Sequence, residues 1–340
     1  MTQTIEALRQ QAIAAAQGSA MLNLAYIGVV NGLFSALHGG PGSAKELATR
    51  TARDLGYVER WCDAAFAFEL LDQRAPGVFA LSVLGDSFRP EAEGTLMPFA
   101  VHSVLGAHMA ERAAGLMPSG ERPGESVLGE RDTVLPWFGP MLEAMFAGFF
   151  EQHILPELDV FAEIDARSGL AVDLGCGNGW YLRRLAKKYR KLRGIGLDGF
   201  DENIDAATAH AQREGLGKRL EFRSGDLHRF CCDEPVDLIA MNRALHHVWN
   251  DKDDVFDILR DHLGPGGVAV IWEPAWPADR SELRAPAMRP MAFQNLSEHV
   301  QGNHFLRPDE IAEALSGAGL EPSIHRFAGG KEAVIIGRKG

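Results

Sequence analysis

Leu170-Ala-Val-Asp-Leu-Gly-Cys-Gly-Asn-Gly179 decides how this chain folds. An apolar strand runs into a turn of alternating glycines, and the periodic segment after it opens a helix. Glycine lets a backbone turn sharply and approach a ligand with no Cβ in the way. The spacing is G-x-G-x-G, with Asp173 two residues ahead of Gly175. It is not the G-x-G-x-x-G of dinucleotide sites, because Trp180 stands where the last glycine would fall. A pyrophosphate on the helix N-terminus would be repelled by a carboxylate beside it. A ligand carrying an ammonium group would be attracted.

Downstream, further strand candidates begin at Gly194, Leu220, Val236 and Gly267. Helical patterns separate most of them, notably Tyr181 to Tyr189, Asn203 to Glu214 and Lys252 to Leu263. Such alternation predicts an α/β fold with a mostly parallel, Rossmann-like sheet. Upstream the pattern is helical. Ser43 with Glu46 three residues on reads as a capping box, and a second helix is expected from Tyr57 to Leu71. The following stretch from Ala75 reads as a turn and a short strand, the outline of a winged helix. Gly18 to Leu37 is apolar but carries Asn23, Asn31 and Ser35, so it reads as a buried helix rather than a membrane span. The Met- and Phe-rich stretch between the two halves reads as packing, with some side chains available to wall a pocket.

At 340 residues, two domains are the first expectation. The balance of 34 basic against 46 acidic residues, net −12, argues against nucleic acid as the main partner. The presumed recognition helix, taken from Tyr57 to Asp72, has one arginine against four acids. Its alternative, a cofactor-sensing DNA-binding regulator, needs exposed Arg, Lys or Asn there. The four cysteines form neither a disulfide framework nor C-x-x-C pairs. Nothing at the N-terminus reads as a signal peptide. The chain is expected in the cytoplasm, with no membrane partner.

Asp173 to Gly179 match every defined position of the Asp/Glu-x-Gly-x-Gly-x-Gly loop, and the chain resembles the class I S-adenosylmethionine-dependent methyltransferases. That resemblance implies a seven-stranded sheet with flanking helices, and S-adenosylmethionine as cofactor. It assigns cofactor contacts to Asp173, Gly175, Cys176, Gly177 and Gly179, and the ribose hydroxyls to Asp198 beside Gly199. Asp226 and Leu227 fall where the family meets adenine. Asn242 follows the fourth strand, and Leu263-Gly-Pro-Gly-Gly-Val matches the turn before strand five. The N-terminal part resembles the winged-helix-like dimerisation domain of small-molecule O-methyltransferases. The implied organisation is residues 1–94 for dimerisation, 95–164 as linker and pocket helices, and 165–340 for cofactor binding, in a homodimer acting on a small-molecule acceptor.

His246 and His247 follow the fourth strand, where related enzymes carry a Leu-His-Asp-Trp segment with a general base. Imidazole suits that work because it ionises near neutrality. Here His247 replaces the Asp and Trp249 comes one residue late, so either ring is a candidate; the other reading is a His that only packs beside the cofactor. His299 is a third catalytic candidate. His246 with His299 also resembles the histidine pair that holds iron or zinc in α-keto acid C-methyltransferases, which implies metal-assisted C-methylation of a 2-oxo acid as an alternative. Glu273, ending strand five, is a further polar group for the site.

Overall fold

The computed structural model describes residues 4–340. They form two compact units, one of residues up to 111 with 131–145, the other of 112–130 with 146–340. The helical stretch 95–164 is thus shared between the two.

The first unit begins with a helix over Ile5–Val30. It is long and apolar enough, by length and composition, to cross a membrane. Burial starts only near Ala25, and Ile5, Ile13 and Ile27 are exposed, so the expected buried helix is buried in its second half alone. Gly32, with φ 69°, breaks it from the short helix Leu33–His38. Ser43 caps Ala44–Thr51 with the full capping box. The next helix, Leu55–Ala67, ends four residues before the expected Leu71. Glu69 turns left-handed (φ 59°), and Leu71–Ala75 instead pairs antiparallel with Val78–Leu81. The strand across the turn supplies hydrogen-bond partners that a longer helix would have forgone. Gly42–Ser43 completes a three-stranded sheet. The core centres on Phe34, edge-on to Trp61 and stacked on Phe88.

The second unit is built on seven strands: β1 Leu170–Leu174, β2 Arg193–Asp198, β3 Leu220–Ser224, β4 Val236–Asn242, β5 Leu263–Pro274, β6 Leu320–Phe327 and β7 Glu332–Lys339. Their order is β3-β2-β1-β4-β5-β7-β6. The first five are parallel, and β7 runs antiparallel between β5 and β6. The linking helices are α1 Trp180–Lys188, α2 Asp201–Arg213, α3 Lys252–His262, α4 Arg289–Val300 and α5 Pro308–Gly317.

Strand side chains alternate between two faces. Ala171, Leu238, Ala240, Val268, Val270 and Trp272 enter one core, with Phe150, Phe161 and Tyr181. Leu170, Val172, Leu174, Ile239, Met241 and Ile271 enter the other, with Val255, Leu259 and Ile311. A sheet buried on both faces explains why its strands read as apolar runs. The order reverses at β1, between β2 and β4, and that reversal opens a crevice at the carboxyl ends of the strands.

Candidate active site

The glycine turn lies at that crevice. Gly175 and Gly179 are left-handed, with φ 78° and 73°. A Cβ on Gly175 would lie 2.7 Å from the Ala244 methyl, and one on Gly179 would lie 2.6 Å from the Phe222 ring. Both conformation and space therefore demand glycine. The turn is pinned to β2: the Gly175 and Cys176 N–H groups donate to the Leu197 carbonyl at 2.8 and 3.0 Å. Cys176 is buried, which pushes its thiol well up and keeps it neutral.

Asp173 sits just ahead of the turn, 1% exposed. The Asn242 amide donates to it at 2.8 Å. Burial pushes its carboxyl up to about 8, with the nearby Asp198 charge acting the same way against that hydrogen bond. Asn242 Oδ1 and the Tyr181 hydroxyl are both buried without a hydrogen-bond partner. A buried carboxylate lacking a cation, beside an acceptor lacking a donor, fits an ammonium group. The residues present thus suit the amino-acid end of S-adenosylmethionine.

Asp198 ends β2 and receives the Gly177 N–H at 2.8 Å, the Phe200 N–H at 3.1 Å and the Asn203 amide at 2.9 Å. A carboxylate has about four acceptor positions, so it holds the turn with capacity to spare. Gly199 is exposed. Asp226 is exposed too and caps the short turn Leu227–Arg229, taking the His228 N–H at 2.9 Å. Leu227 packs against the core beneath.

His246 and His247 leave the end of β4 in a 3-10 turn, with ring centroids 4.1 Å apart. His246 is 4% exposed, and its Nδ1 lies 2.7 Å from Glu273 Oε2. The other Glu273 oxygen accepts the N–H groups of Leu245 and His246 at 2.8 and 3.3 Å. Burial alone would raise the Glu273 carboxyl; the charge and hydrogen bond of His246, with Arg243 nearby, hold it below the ordinary range. His247 Nδ1 lies 2.8 Å from Glu125 Oε1 and 2.8 Å from the Asn303 amide. Burial pulls its imidazole down, but Glu125, Glu298 and Glu273 outweigh burial and leave it raised. The hydrogen bond to His247 in turn holds Glu125 low.

The third member of this group is Glu298, not His299. One donor atom each of His246, His247 and Glu298 lie within 4.8 Å of one another, whereas His299 is exposed. Met291 and Glu298, seven residues apart, are buried on one face of α4. Seven residues make two helical turns, so that face points Glu298 inward and its neighbour outward. The spacing was readable; a histidine is simply the more conspicuous ligand. Glu125 opens a short 3-10 helix, Glu125–Glu130, and Asn303 comes from a loop; neither left a periodic trace.

Residues 171–267 match a family model described as a methyltransferase domain. The trans-aconitate 2-methyltransferase of Rhizobium rhizogenes is 32% identical over 130 residues, which is 38% of this chain and 48% of that enzyme. The ubiquinone biosynthesis O-methyltransferase of Rickettsia canadensis is 23% identical over 44% of this chain and 61% of its own length. The chain thus spans about half the length of such curated relatives. Among solved structures, an O-methyltransferase family protein from Burkholderia thailandensis superposes with TM-score 0.75 at 19% identity, over 100% of this chain and 99% of that one. Human N-acetylserotonin methyltransferase, solved in complex with SAM, gives 0.73 at 18% identity over 100% of both chains. Residues 171–267 thus match a methyltransferase domain, and the fold of the whole chain is similar to that of O-methyltransferases.

Proposed function

We propose that this protein transfers a methyl group from S-adenosylmethionine to an oxygen or carbon of a small molecule, as a cytoplasmic homodimer. One observation carries the reading. Asn242, whose amide holds Asp173, and His246, whose ring is held by Glu273, leave the same strand end four residues apart. A cofactor group and an acceptor group are therefore adjacent by construction.

Asp173 and Asn242 Oδ1 would take the ammonium group, and the spare acceptor positions of Asp198 the ribose hydroxyls. Gly175, Cys176, Gly177 and Gly179 would line the cofactor's path, with Gly199, Asp226 and Leu227 near its adenine. When bound, the sulfonium supplies an electrophilic methyl. The protein's own part is to align the acceptor with it and to manage the acceptor's proton. With Nδ1–H donating to Glu273, His246 presents an Nε2 lone pair, and in the simplest form of the reaction that lone pair takes the proton. The exposure of His299 favours His246 for this work.

Exposed apolar side chains on Ile5–Val30, Ile5 and Ile13 among them, support a second copy as partner. The helix Leu55–Ala67 exposes Glu59, Arg60 and Asp63, one base against two acids. That surface does not favour a DNA-reading role.

His246→Ala should cut turnover about 10²–10⁴-fold, while calorimetry with S-adenosylhomocysteine shows unchanged affinity. Unchanged turnover, or no binding of that nucleoside by the parent protein, overturns the reading.

A further inference from the structure

We propose that His246, His247 and Glu298 bind one divalent transition-metal cation, and that an acceptor with two adjacent oxygens completes its coordination. The site stands on its own residues; only the acceptor class rests on the function proposed above.

His246 Nε2 and Glu298 Oε2 lie 3.8 Å apart, too far for a hydrogen bond. With His247, they make three donors that face one another inside 4.8 Å. Donors bound to one ion at about 2.1 Å lie roughly 3–3.5 Å apart. Closure therefore needs shifts of about an ångström, within the reach of side-chain rotation.

Each imidazole already has its outer partner. Nδ1 of His246 is on Glu273 at 2.7 Å, and Nδ1 of His247 is on Glu125 at 2.8 Å. Histidine ligands of metals characteristically pass their second N–H to a carboxylate, which fixes the tautomer and sharpens the ligating nitrogen. The His246 ring is oriented in that way, with Nε2 left to ligate, and Nδ1 of His247 meets the Asn303 amide as well as Glu125. Glu298 is steadied by the Gln301 amide at 3.0 Å.

Charge points in the same direction. Three carboxylates, Glu125, Glu273 and Glu298, converge on two imidazoles, and the nearby Arg243 is itself paired with Glu332 at 2.8 Å. A dication offsets that excess inside a buried site. Two imidazoles and one carboxylate suit zinc or iron(II) rather than magnesium or calcium, and they leave coordination positions open. Two open positions are what a chelating acceptor fills. An Nε2 lone pair able to take a proton can hold a cation in its place, so chelation separates this form of the site from the simplest one.

The test is to strip the full-length protein with a chelator and titrate it with Co²⁺, reading the visible bands that ligation produces. One equivalent per chain should bind and be displaced by Zn²⁺, and added catechol should shift the bands. His247→Ala and Glu298→Gln should each weaken Co²⁺ by tenfold or more, Glu125→Gln by about 10–100-fold, and His299→Ala not at all. No bands, bands indifferent to His247→Ala, or loss in His299→Ala overturns the site. Bands that ignore catechol overturn the acceptor class. S-adenosylhomocysteine should still bind the stripped protein; if it does not while Co²⁺ does, the function fails and the cation site stands.

Discussion

Asp173 and Glu273 are both 1% exposed, and both lie near the carboxyl ends of strands in one sheet. Their chemistry is opposite. Asp173 has one amide partner and a carboxyl pushed up to about 8 by burial. Glu273 receives an imidazole and two backbone N–H groups, with Arg243 close by, and is held below the ordinary carboxylate range. The buried charge of Glu273 is compensated from within the protein; that of Asp173 is left for a ligand to compensate. On the function proposed above, one carboxylate belongs to the scaffold of the site and the other to its recognition of a cation.

The sharpest way to break this contrast is the same change, acid to amide, at both places. Glu273→Gln removes the charge that His246 and Arg243 face and leaves buried donors with one acceptor oxygen between them. Breaking a buried pair from one side costs about 3–5 kcal/mol. Thermal unfolding should fall by about 10 °C for a unit of this size, and turnover should fall with it. If Glu273→Gln melts with the parent, Glu273 is not the compensated carboxylate described.

Much of the fold was legible because periodicity carries it. The five parallel strands and three of their helices follow from apolar runs alternating with 3.6-residue patterns, since a doubly covered sheet needs both. The helix reading failed at Leu71, where the pairing partner Val78–Leu81 decides the conformation and local propensity does not. The cofactor side was similarly readable, because Asp173, Gly175 and Gly179 obey a fixed local spacing. The acceptor side was half readable. His246, His247 and Glu273 sit at strand ends, where site residues are expected. Glu125 reaches the site from a short 3-10 helix and Asn303 from a loop, and no short-range pattern ties either of them to a histidine more than fifty residues away in the chain.

Asp173→Asn should act with the opposite sign. An unfolded Asp ionises near 3.8 and the folded one near 8, so between those values the folded state holds a proton that the unfolded state has released. Stability accordingly falls as pH rises through that window. The amide cannot ionise, so the variant should melt above the parent at pH 8, and the gap should close toward pH 4. The gain should come with lost affinity for S-adenosylhomocysteine, about tenfold to a hundredfold for one charge-assisted hydrogen bond. A variant that melts lower at pH 8 would show that Asp173 is compensated after all.

The smallest effect falls on Asn242, which touches the uncompensated carboxylate and not the compensated one. Asn242→Ala removes the amide that hydrogen-bonds Asp173, together with the unpartnered acceptor Oδ1. The Asp173 carboxyl should then titrate still higher, because burial is opposed by nothing. Affinity for S-adenosylhomocysteine should drop about tenfold, the worth of one hydrogen bond near 1–1.5 kcal/mol. The proton released on binding at pH 8, where about half of the parent's Asp173 is protonated, should increase, since more Asp173 begins protonated and must ionise to meet the ammonium group. Calorimetry in buffers of different ionisation enthalpy reads that proton directly. Equal release in parent and variant would mean that the ammonium group is held elsewhere, and Asp173 would lose its place as the cation-seeking member of the pair.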